Sequence, residues 1–248
     1  MSWGQAHVGN GIGFGQGSDN DGGIDWGAIY PDSWSGDTAL EVGFSFGNAL
    51  LFDGVNDYVS IGSAVRCAGA FTVSMWIKYT SIGTGRILSD TANTRVIRTT
   101  DTTTIRVFDG ASKDFTVPTL STDTWYHLAV TRDGSDDVRV YLNGTESSTG
   151  AINSTPTYLF NRLGNLGAGY LDGTLDEVAI WAGTTASASQ VSSLYNSGGG
   201  VLATNVIASP DVYYRLDESG TDTTATDTST NSNDGTLTNF TGTYWVAH

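Results

Sequence analysis

The sequence pattern from residue 50 onward constrains the fold most, because short runs of β-forming residues alternate there with turn residues. In one such run Phe71, Val73, Met75 and Ile77 share a face by the two-residue period of a strand. Similar runs lie at 86–88, 105–108, 125–131, 138–142 and 175–181. Many short strands with regular turns predict an all-β fold, either a sandwich or a barrel.

Turn and helix signals refine this prediction. Residues 50–52 and 58–61 flank an Asp53-Gly54 pair and read as strand, turn, strand, and Asn143-Gly144 is typical of a hairpin turn. Residues 186–196 carry apolar side chains at helical spacing. Ser187 or Ser189 can cap the start of this segment and Gly198 can end it, so we expect a short surface helix there.

Residues 1–46 differ from the rest, since they are rich in glycine and carry isolated large aromatics instead of alternating apolar residues. They predict an extended arm in which Trp3, Phe14, Trp26 and Trp34 bind a partner, because aromatics dominate interface energetics. Ordering a glycine-rich segment costs conformational entropy that such contacts must offset. The alternatives are an arm folded back on its own domain and an unstructured tail.

The remaining chain is interpreted as a sandwich over 47–197 and a C-terminal segment over 198–248. A strand at 212–216, a polar loop and a second short run at 235–240 make up the C-terminal segment. A piece of this size is too short for a core of its own. We therefore expect it to add strands to the sandwich or to a neighbouring molecule.

The charge of the chain excludes some partners. Lys and Arg total 11 against 26 Asp and Glu, a formal net charge of -15, which disfavours nucleic acid and anionic membranes. No run reaches the roughly 18 apolar residues of a membrane span, and the first residues lack a secretory signal, so we expect folding in a cytoplasm. Cys67 is the single cysteine, so the fold has no intrachain disulfide.

Several blocks together carry a family resemblance, and they occur in family order. They are 51–59 (LFDGVNDYV), 71–77 (FTVSMWI), 125–131 (WYHLAVT), 138–144 (VRVYLNG) and 171–181 (LDGTLDEVAIW). The chain resembles the laminin-G-like branch of the concanavalin A-like lectin/glucanase superfamily. The resemblance implies a two-sheet antiparallel jelly roll, a scaffold that hosts lectins, glycosidases, adhesion modules and virion components alike.

One block is out of family order. Residues 213–218 (YYRLDE) and 227–237 resemble the block that opens such domains, but here they come last. Either the sandwich is circularly permuted, with the C-terminal segment in the place of the first strand, or a truncated second unit begins here. The short length of the segment favours permutation.

The sequence does not favour an enzyme. Glycosidases with this scaffold carry a Glu-x-Asp-x-x-Glu motif in one strand, and this motif supplies the two catalytic carboxylates. None of Glu41, Glu146, Glu177 and Glu218 has the required spacing to an Asp and a second Glu. His127 lies within a strand and is interpreted as a packed histidine. Asp172 and the Asp176-Glu177 pair are interpreted as structural. We therefore predict a non-catalytic protein.

The resemblance implies one metal ligand. Asp176 opens the final strand of the matching blocks, where an aspartate of related sandwiches helps to hold a structural Ca²⁺ with backbone carbonyls. The carbohydrate-binding residues stay unassigned, although loop residues such as Asn165, Tyr170 and Asp172 are the candidates. Trp76, Trp125 and Trp181 are interpreted as core residues.

The function expected from these patterns is that of a non-enzymatic virion surface protein of a tailed phage. The N-terminal repeats, such as 3–5 (WGQ) and 14–17 (FGQG), resemble the starts of structural proteins of tailed bacteriophages. The arm would bind other virion proteins as a capsid decoration or in a tail or fibre, in multiple copies or as a homo-oligomer, and the sandwich would adhere to cell-surface glycans. The alternative is a calcium-dependent carbohydrate-binding module or adhesin domain of a bacterium.

Overall fold

The computed structural model describes residues 44–92, 94–147, 152–153, 156–164 and 169–248. Trp3, Phe14, Trp26 and Trp34 lie outside these residues, so their role in partner binding stays a prediction. Residues 44–248 form a single compact unit. No helix in the described part of the chain is long and apolar enough to cross a membrane.

Two antiparallel sheets make up this unit, as the sequence predicts. Sheet A has the order β10 (Thr145–Glu146), β9 (Asp137–Leu142), β8 (Trp125–Arg132), β3 (Phe71–Tyr79), β13 (Asp172–Ala182), β1 (Asn48–Asp53) and β17 (Trp245–Ala247), with β11 (Ile152–Asn153) on β9 and β14 (Val212–Tyr214) on β13. Sheet B has the order β15 (Thr224–Ala225), β16 (Gly235–Thr238), β2 (Tyr58–Cys67), β12 (Tyr158–Leu163), β4 (Arg86–Ser89), β5 (Val96–Asp101), β6 (Thr104–Phe108) and β7 (Ser112–Thr116). The two-sheet antiparallel jelly-roll sandwich is thereby confirmed.

The main core lies between the two sheets. The predicted face of β3 points into it, and Phe71, Val73, Met75 and Ile77 are each at most 1% exposed. Cys67 is also buried in this core, and burial raises the pKa of its thiol to about 12. The four residues that alternation places on one face therefore line the core between the sheets.

A second apolar cluster covers part of the outer face of sheet A. Trp181 and Tyr213 pack there against Val191 and Leu194 of helix α1 (Ala188–Tyr195), and helix α2 (Ala203–Val206) follows. Ser187 caps α1 and forms a capping box with Gln190, as its sequence predicts. The helix ends at Asn196, which adopts a left-handed conformation, two residues before the predicted Gly198.

Strands β1 and β2 and the turn between them form where the sequence predicts strand, turn and strand, but the two strands do not pair with each other. They belong to different sheets, and the turn between them crosses from one layer of the sandwich to the other. Asp53 Oδ1 accepts hydrogen bonds from the backbone N–H groups of Val55 (2.8 Å) and Asn56 (3.2 Å), which fixes this turn. Alternation and turn residues alone do not reveal which sheet a strand joins.

The C-terminal segment contributes strands to both sheets. β14 pairs with β13 and β17 pairs with β1 in sheet A, whereas β16 pairs with β2 in sheet B. The segment thus completes its own sandwich, one of the two expectations from its length. The boundaries at residues 46 and 197 and the circular permutation stay predictions.

Asp227 organises the polar loop of this segment. Its side chain is buried, and its Oδ1 accepts the N–H groups of Tyr213 and Ser229, both at 2.9 Å. Its Oδ2 accepts the Ser229 hydroxyl and the Asn233 N–H, both at 2.7 Å. A single carboxylate therefore ties β14 of sheet A to the loop that leads into β16 of sheet B.

Replacing this carboxylate tests its structural role. Asp227→Ala leaves buried donors without partners, so we expect the free energy of unfolding to fall by about 2–4 kcal/mol. Urea unfolding followed by tryptophan fluorescence measures the change. Asp222→Ala, at an exposed aspartate just before β15, is the matched control and should change stability by less than about 0.5 kcal/mol. Equal effects of the two variants would refute the assignment.

Candidate functional site

A groove of about 260 Å³ opens at one end of the sandwich, where three loops meet. These are the β1–β2 turn at Gly54, the β3–β4 loop at Ser81–Gly85 and the β12–β13 loop at Gly169–Asp172, with Tyr79 and Thr99 also lining the groove. Loops at the end of a rigid sandwich are common positions for binding residues. The groove is therefore the candidate site for a ligand.

Main-chain hydrogen bonds hold the loops in place. Gly54 N–H donates to the Leu171 carbonyl at 3.0 Å, Thr80 N–H to the Asp172 carbonyl at 3.0 Å, and Arg86 N–H to the Gly169 carbonyl at 3.0 Å. The three loops are thus connected to one another independently of their side chains. The groove is preformed, which lowers the entropic cost of binding a ligand.

Two glycines allow the loops to approach this closely. Gly54 has φ +74°, and a Cβ there would lie 2.7 Å from Asp172 Cβ. Gly169 has φ +101°, and a Cβ there would lie 2.6 Å from the Thr84 carbonyl oxygen. Both positions combine a left-handed backbone with contacts too short for any side chain. The shape of the groove therefore depends on glycine at both positions.

The groove combines an aromatic residue, a carboxylate and several hydroxyls. Tyr170 and Asp172 are both half-buried, and Ser81 and Thr84 are exposed at the rim. Asp172 lies opposite Asp53 in the register of β1 and β13. Burial, and secondarily the charge of Asp53, raises the pKa of Asp172 above the usual range of an aspartate. Hydrogen-bond donors of a ligand would stabilise the ionised form of Asp172 and so offset part of the free-energy cost of burying its charge.

The structure brings together two of the three loop residues named as carbohydrate candidates. Tyr170 and Asp172 both line the groove, whereas Asn165 lies outside the described residues. The tryptophans are a mixed result. None of the three belongs to the core between the sheets, since Trp76 and Trp181 are buried on the outer face of sheet A and Trp125 is half-exposed.

Trp125 differs from the prediction because it stacks on His248. The imidazole of His248 lies between the rings of Phe46 and Trp125, with centroid distances of 3.6 and 3.9 Å and interplanar angles of 8° and 4°. Lys78 Nζ lies 4.9 Å from the centroid of the Trp125 ring. This stack covers the outer face of sheet A. No local sequence signal could have found it, since its members are far apart in the chain.

Asp176, the predicted calcium ligand, lies beneath this stack and is 1% exposed. Its Oδ1 accepts the Glu177 N–H at 2.8 Å, and its Oδ2 lies 2.6 Å from His248 Nδ1. Burial, and secondarily the charge of Glu177, raises the pKa of Asp176, and burial lowers that of His248, so burial disfavours the charged form of both groups.

These contacts do not form a ready calcium site. Both oxygens of Asp176 have protein partners, and the described residues contain no group of three His, Cys, Asp or Glu side chains arranged to hold a metal. An ion at this position would have to displace His248. The calcium role of Asp176 stays a prediction from the family resemblance.

His127 is a packed histidine, as expected. It is 1% exposed and its Nε2 lies 2.9 Å from Ser74 Oγ. Burial lowers its pKa to about 3, so the ring is neutral. Its Nδ1 has no hydrogen-bond partner among the described residues, so the Ser74–His127 pair lacks the carboxylate of a catalytic triad.

The architecture matches a known family. A family model described as the concanavalin A-like lectin/glucanases superfamily matches residues 53–192. The chain belongs to this superfamily. The two antiparallel sheets of the sandwich agree with the lectin-like fold of this superfamily.

Solved structures with similar folds include a proposed carbohydrate-binding protein from Bacteroides ovatus ATCC 8483. Its sequence is 20% identical to this chain, and the two structures superpose with a TM-score of 0.63. The match covers 82% of this chain and 62% of that protein. A heptameric SAP-like pentraxin from Limulus polyphemus is 17% identical to this chain, with a TM-score of 0.53. The match covers 63% of this chain and 85% of the pentraxin chain.

Trypanosoma rangeli sialidase matches at 16% identity and a TM-score of 0.45, over 61% of this chain and 28% of its own. At these identities the likeness concerns the fold alone. No curated protein matches the sequence of the chain.

A buried carboxylate also lies in the turn that contributes Gly54 to the groove. Asp57 is 3% exposed, its Oδ2 accepts the Asp53 N–H at 3.1 Å, and its Oδ1 has no partner in the described part of the chain. Burial raises the pKa of Asp57 to about 6. The folded state therefore binds this proton more tightly than the unfolded state does.

This shift predicts a pH dependence of stability. Asp57 stabilises the fold most below its unfolded pKa, near 4, and that contribution is lost as the pH rises through about 6. Asp57→Asn cannot ionise, so at pH 7 it should be more stable than the wild type by on the order of 1 kcal/mol. The advantage should disappear at pH 4. Urea unfolding at pH 4, 5, 6 and 7 measures this difference, and a pH-independent difference would contradict the prediction.

Proposed function

We propose that this chain is a non-catalytic carbohydrate-binding domain that takes a glycan in the groove formed by the β1–β2, β3–β4 and β12–β13 loops. The observation that carries this proposal is the preformed groove that has both Tyr170 and Asp172 in its lining. Sites for small ligands combine a concave shape with a few fixed polar groups. This groove has both properties.

The residues of the groove suit a sugar. The ring of Tyr170 offers an apolar face for the C–H groups of a pyranose, and a buried aromatic contact of this kind adds to the energy of area burial. Asp172 is an acceptor for sugar hydroxyls, and no donor among the described residues occupies its side chain. Hydrogen bonds to an ionised acceptor are stronger than those between neutral groups. The superfamily and the similar Bacteroides ovatus protein support the same substrate class.

The positions of the glutamates support a non-catalytic function. Glu146 in β10 pairs with Arg139 at 2.9 Å, Glu177 is buried and accepts the Tyr213 hydroxyl, and Glu218 accepts the Thr226 N–H at 2.7 Å. None of these three lines the groove. Glu41 lies outside the described residues. The nearby carboxylate of Asp53 is engaged in its own turn, which leaves Asp172 without a clear partner for acid–base catalysis.

A second proposal concerns the place where the domain acts. The repeated glycine and aromatic residues of the N-terminal segment, including Trp3, Phe14, Trp26 and Trp34, support attachment of the domain to other virion proteins of a tailed phage. The sandwich would then face outward from the particle and bind glycans of the host surface. A bacterial carbohydrate-binding module or adhesin fits the lectin-like fold equally well.

Substitutions in the groove test glycan binding. A glycan array first identifies an oligosaccharide that the full chain binds, and calorimetry then measures its affinity. Tyr170→Ala removes the stacking surface and Asp172→Asn removes the charged acceptor, so each should weaken binding about tenfold, which corresponds to about 1.4 kcal/mol.

Tyr195→Ala is the matched control, because Tyr195 is a half-buried tyrosine on the outer face of sheet A. Its affinity should equal that of the wild type. Loss of binding in this control but not in the groove variants would contradict the proposal. The same titration with a chelator separates the calcium-dependent alternative, since a direct contact with Asp172 predicts unchanged affinity.

Deletion of residues 1–40 tests the virion proposal. Particles assembled with the shortened chain should contain at least tenfold fewer copies of it than particles assembled with the full chain, because the aromatic anchors are absent. Quantitative mass spectrometry of purified particles measures the ratio. Glycan binding by the shortened chain should stay intact. Unchanged incorporation would exclude the arm as the attachment site.

A further inference from the structure

Three arginines form a row across the outer face of sheet B. Arg86 in β4 lies opposite Arg98 in β5, and Arg98 lies opposite Arg106 in β6, in direct cross-strand register. Neighbouring strands are about 4.8 Å apart, so the three side chains are immediate neighbours. Each of the three is half-buried. The row ends at Asp114 in β7, which lies opposite Arg106.

Such a row is unexpected in this chain. Like charges directly opposite each other destabilise a sheet. The chain has 26 acidic and 11 basic residues, so an uninterrupted row of three arginines is not expected from its composition. Burial and the charges of Arg106 and Arg86 lower the pKa of Arg98. Arg106, at one end of the row, forms a bidentate pair with Asp114 at 2.5 and 2.6 Å, and Asp101 lies near by, so these two carboxylates face three arginines. Positive charge therefore remains on this face.

A fourth arginine extends the positive surface. Arg162 in β12 lies on the same outer face, where its guanidinium carbon is 4.4 Å from the centroid of the Tyr58 ring and its Nη1 donates to Ser60 Oγ. The Nε atoms of Arg98 and Arg162 are both buried and have no hydrogen-bond partner among the described residues. Guanidinium Nε atoms without a hydrogen-bond partner among the described residues and an aromatic ring thus lie on the same face of sheet B.

We propose that the outer face of sheet B, with Arg86, Arg98, Arg106 and Arg162, binds an acidic polysaccharide whose sugars carry carboxylate or sulfate groups. The planar guanidinium presents paired donors that match such anions, and a row of them matches a polymer with repeated charges. Tyr58 adds an aromatic surface next to Arg162. This surface is distinct from the groove and does not depend on glycan binding there.

Charge complementarity favours an acidic polysaccharide over nucleic acid. The positive row is confined to one sheet face, whereas the chain as a whole carries a net charge of -15. A duplex with its dense and extended phosphate charge would meet the repulsion of the remaining surface. A flexible polysaccharide can follow a row three strands wide without approaching the acidic regions.

Affinity electrophoresis of the full chain tests the proposal. Native gels contain polygalacturonate, dextran sulfate, neutral dextran or duplex DNA, and the retardation of the chain gives an apparent affinity. Binding to at least one of the two acidic polysaccharides, lost at high salt and at least tenfold stronger than binding to dextran or DNA, is the expected result. Polygalacturonate and dextran sulfate separate carboxylate from sulfate recognition. Retardation by neither, or equal retardation by DNA, would overturn the proposal.

Variants locate the binding surface. Arg98→Gln should weaken binding to the acidic polysaccharide at least tenfold, and Arg98→Lys should restore it only in part, because lysine lacks the paired donors. Arg139→Gln is the matched control, since Arg139 lies in β9 of sheet A. Arg98→Gln also removes repulsion within the row, so its melting temperature should not fall. Equal losses in Arg98→Gln and Arg139→Gln would assign the binding to overall charge and overturn the proposal.

Discussion

Backbone pairing along both edges of β13 is the interaction on which the other features of this domain depend. One edge pairs with β3 over its whole length, and the other pairs first with β1 and then with β14. A bulge between Asp176 and Ala179, with Glu177 at φ 50°, lies where β1 gives way to β14. The first and the C-terminal parts of the described domain therefore meet on one strand.

This arrangement also positions the candidate site. The start of β13 lies beside the end of β1, so the loop before β13 reaches the β1–β2 turn and the β3–β4 loop at the same end of the sandwich. Tyr170 and Asp172 are held there by main-chain contacts. The arginine row lies on the other sheet, beginning at Arg86 directly after Gly85 of the groove. The two proposed surfaces are thus adjacent in sequence but differ in chemistry, since the groove presents an aromatic ring and a carboxylate and the other surface presents arginines.

Sequence reasoning reached the features that depend on local pattern. Alternation predicted the buried face of β3, and capping residues predicted α1. The family resemblance correctly implied the jelly roll. Tyr170 and Asp172 were candidates because binding residues are common in loops, although the closure of the groove around them depends on Gly54 and Gly169.

Features that depend on strand pairing or on contacts between distant parts of the chain could not be predicted from the sequence. The turn between β1 and β2 was predicted, but turn residues do not specify that the two strands join different sheets. Trp125 was interpreted as a core residue because it lies in a strand block, whereas it stacks on His248, which is distant in sequence. The arginine row could not be seen either, because Arg86, Arg98 and Arg106 become neighbours only once the pairing of β4, β5 and β6 is known.

The most direct test of the central claim, that the loops around the start of β13 bind a glycan, is a crystal structure of the chain with a neutral oligosaccharide that it binds. The account predicts electron density for a sugar ring in van der Waals contact with Tyr170 and a sugar hydroxyl within hydrogen-bonding distance of Asp172. Density for the sugar on the outer face of sheet A, with the groove empty, would contradict it.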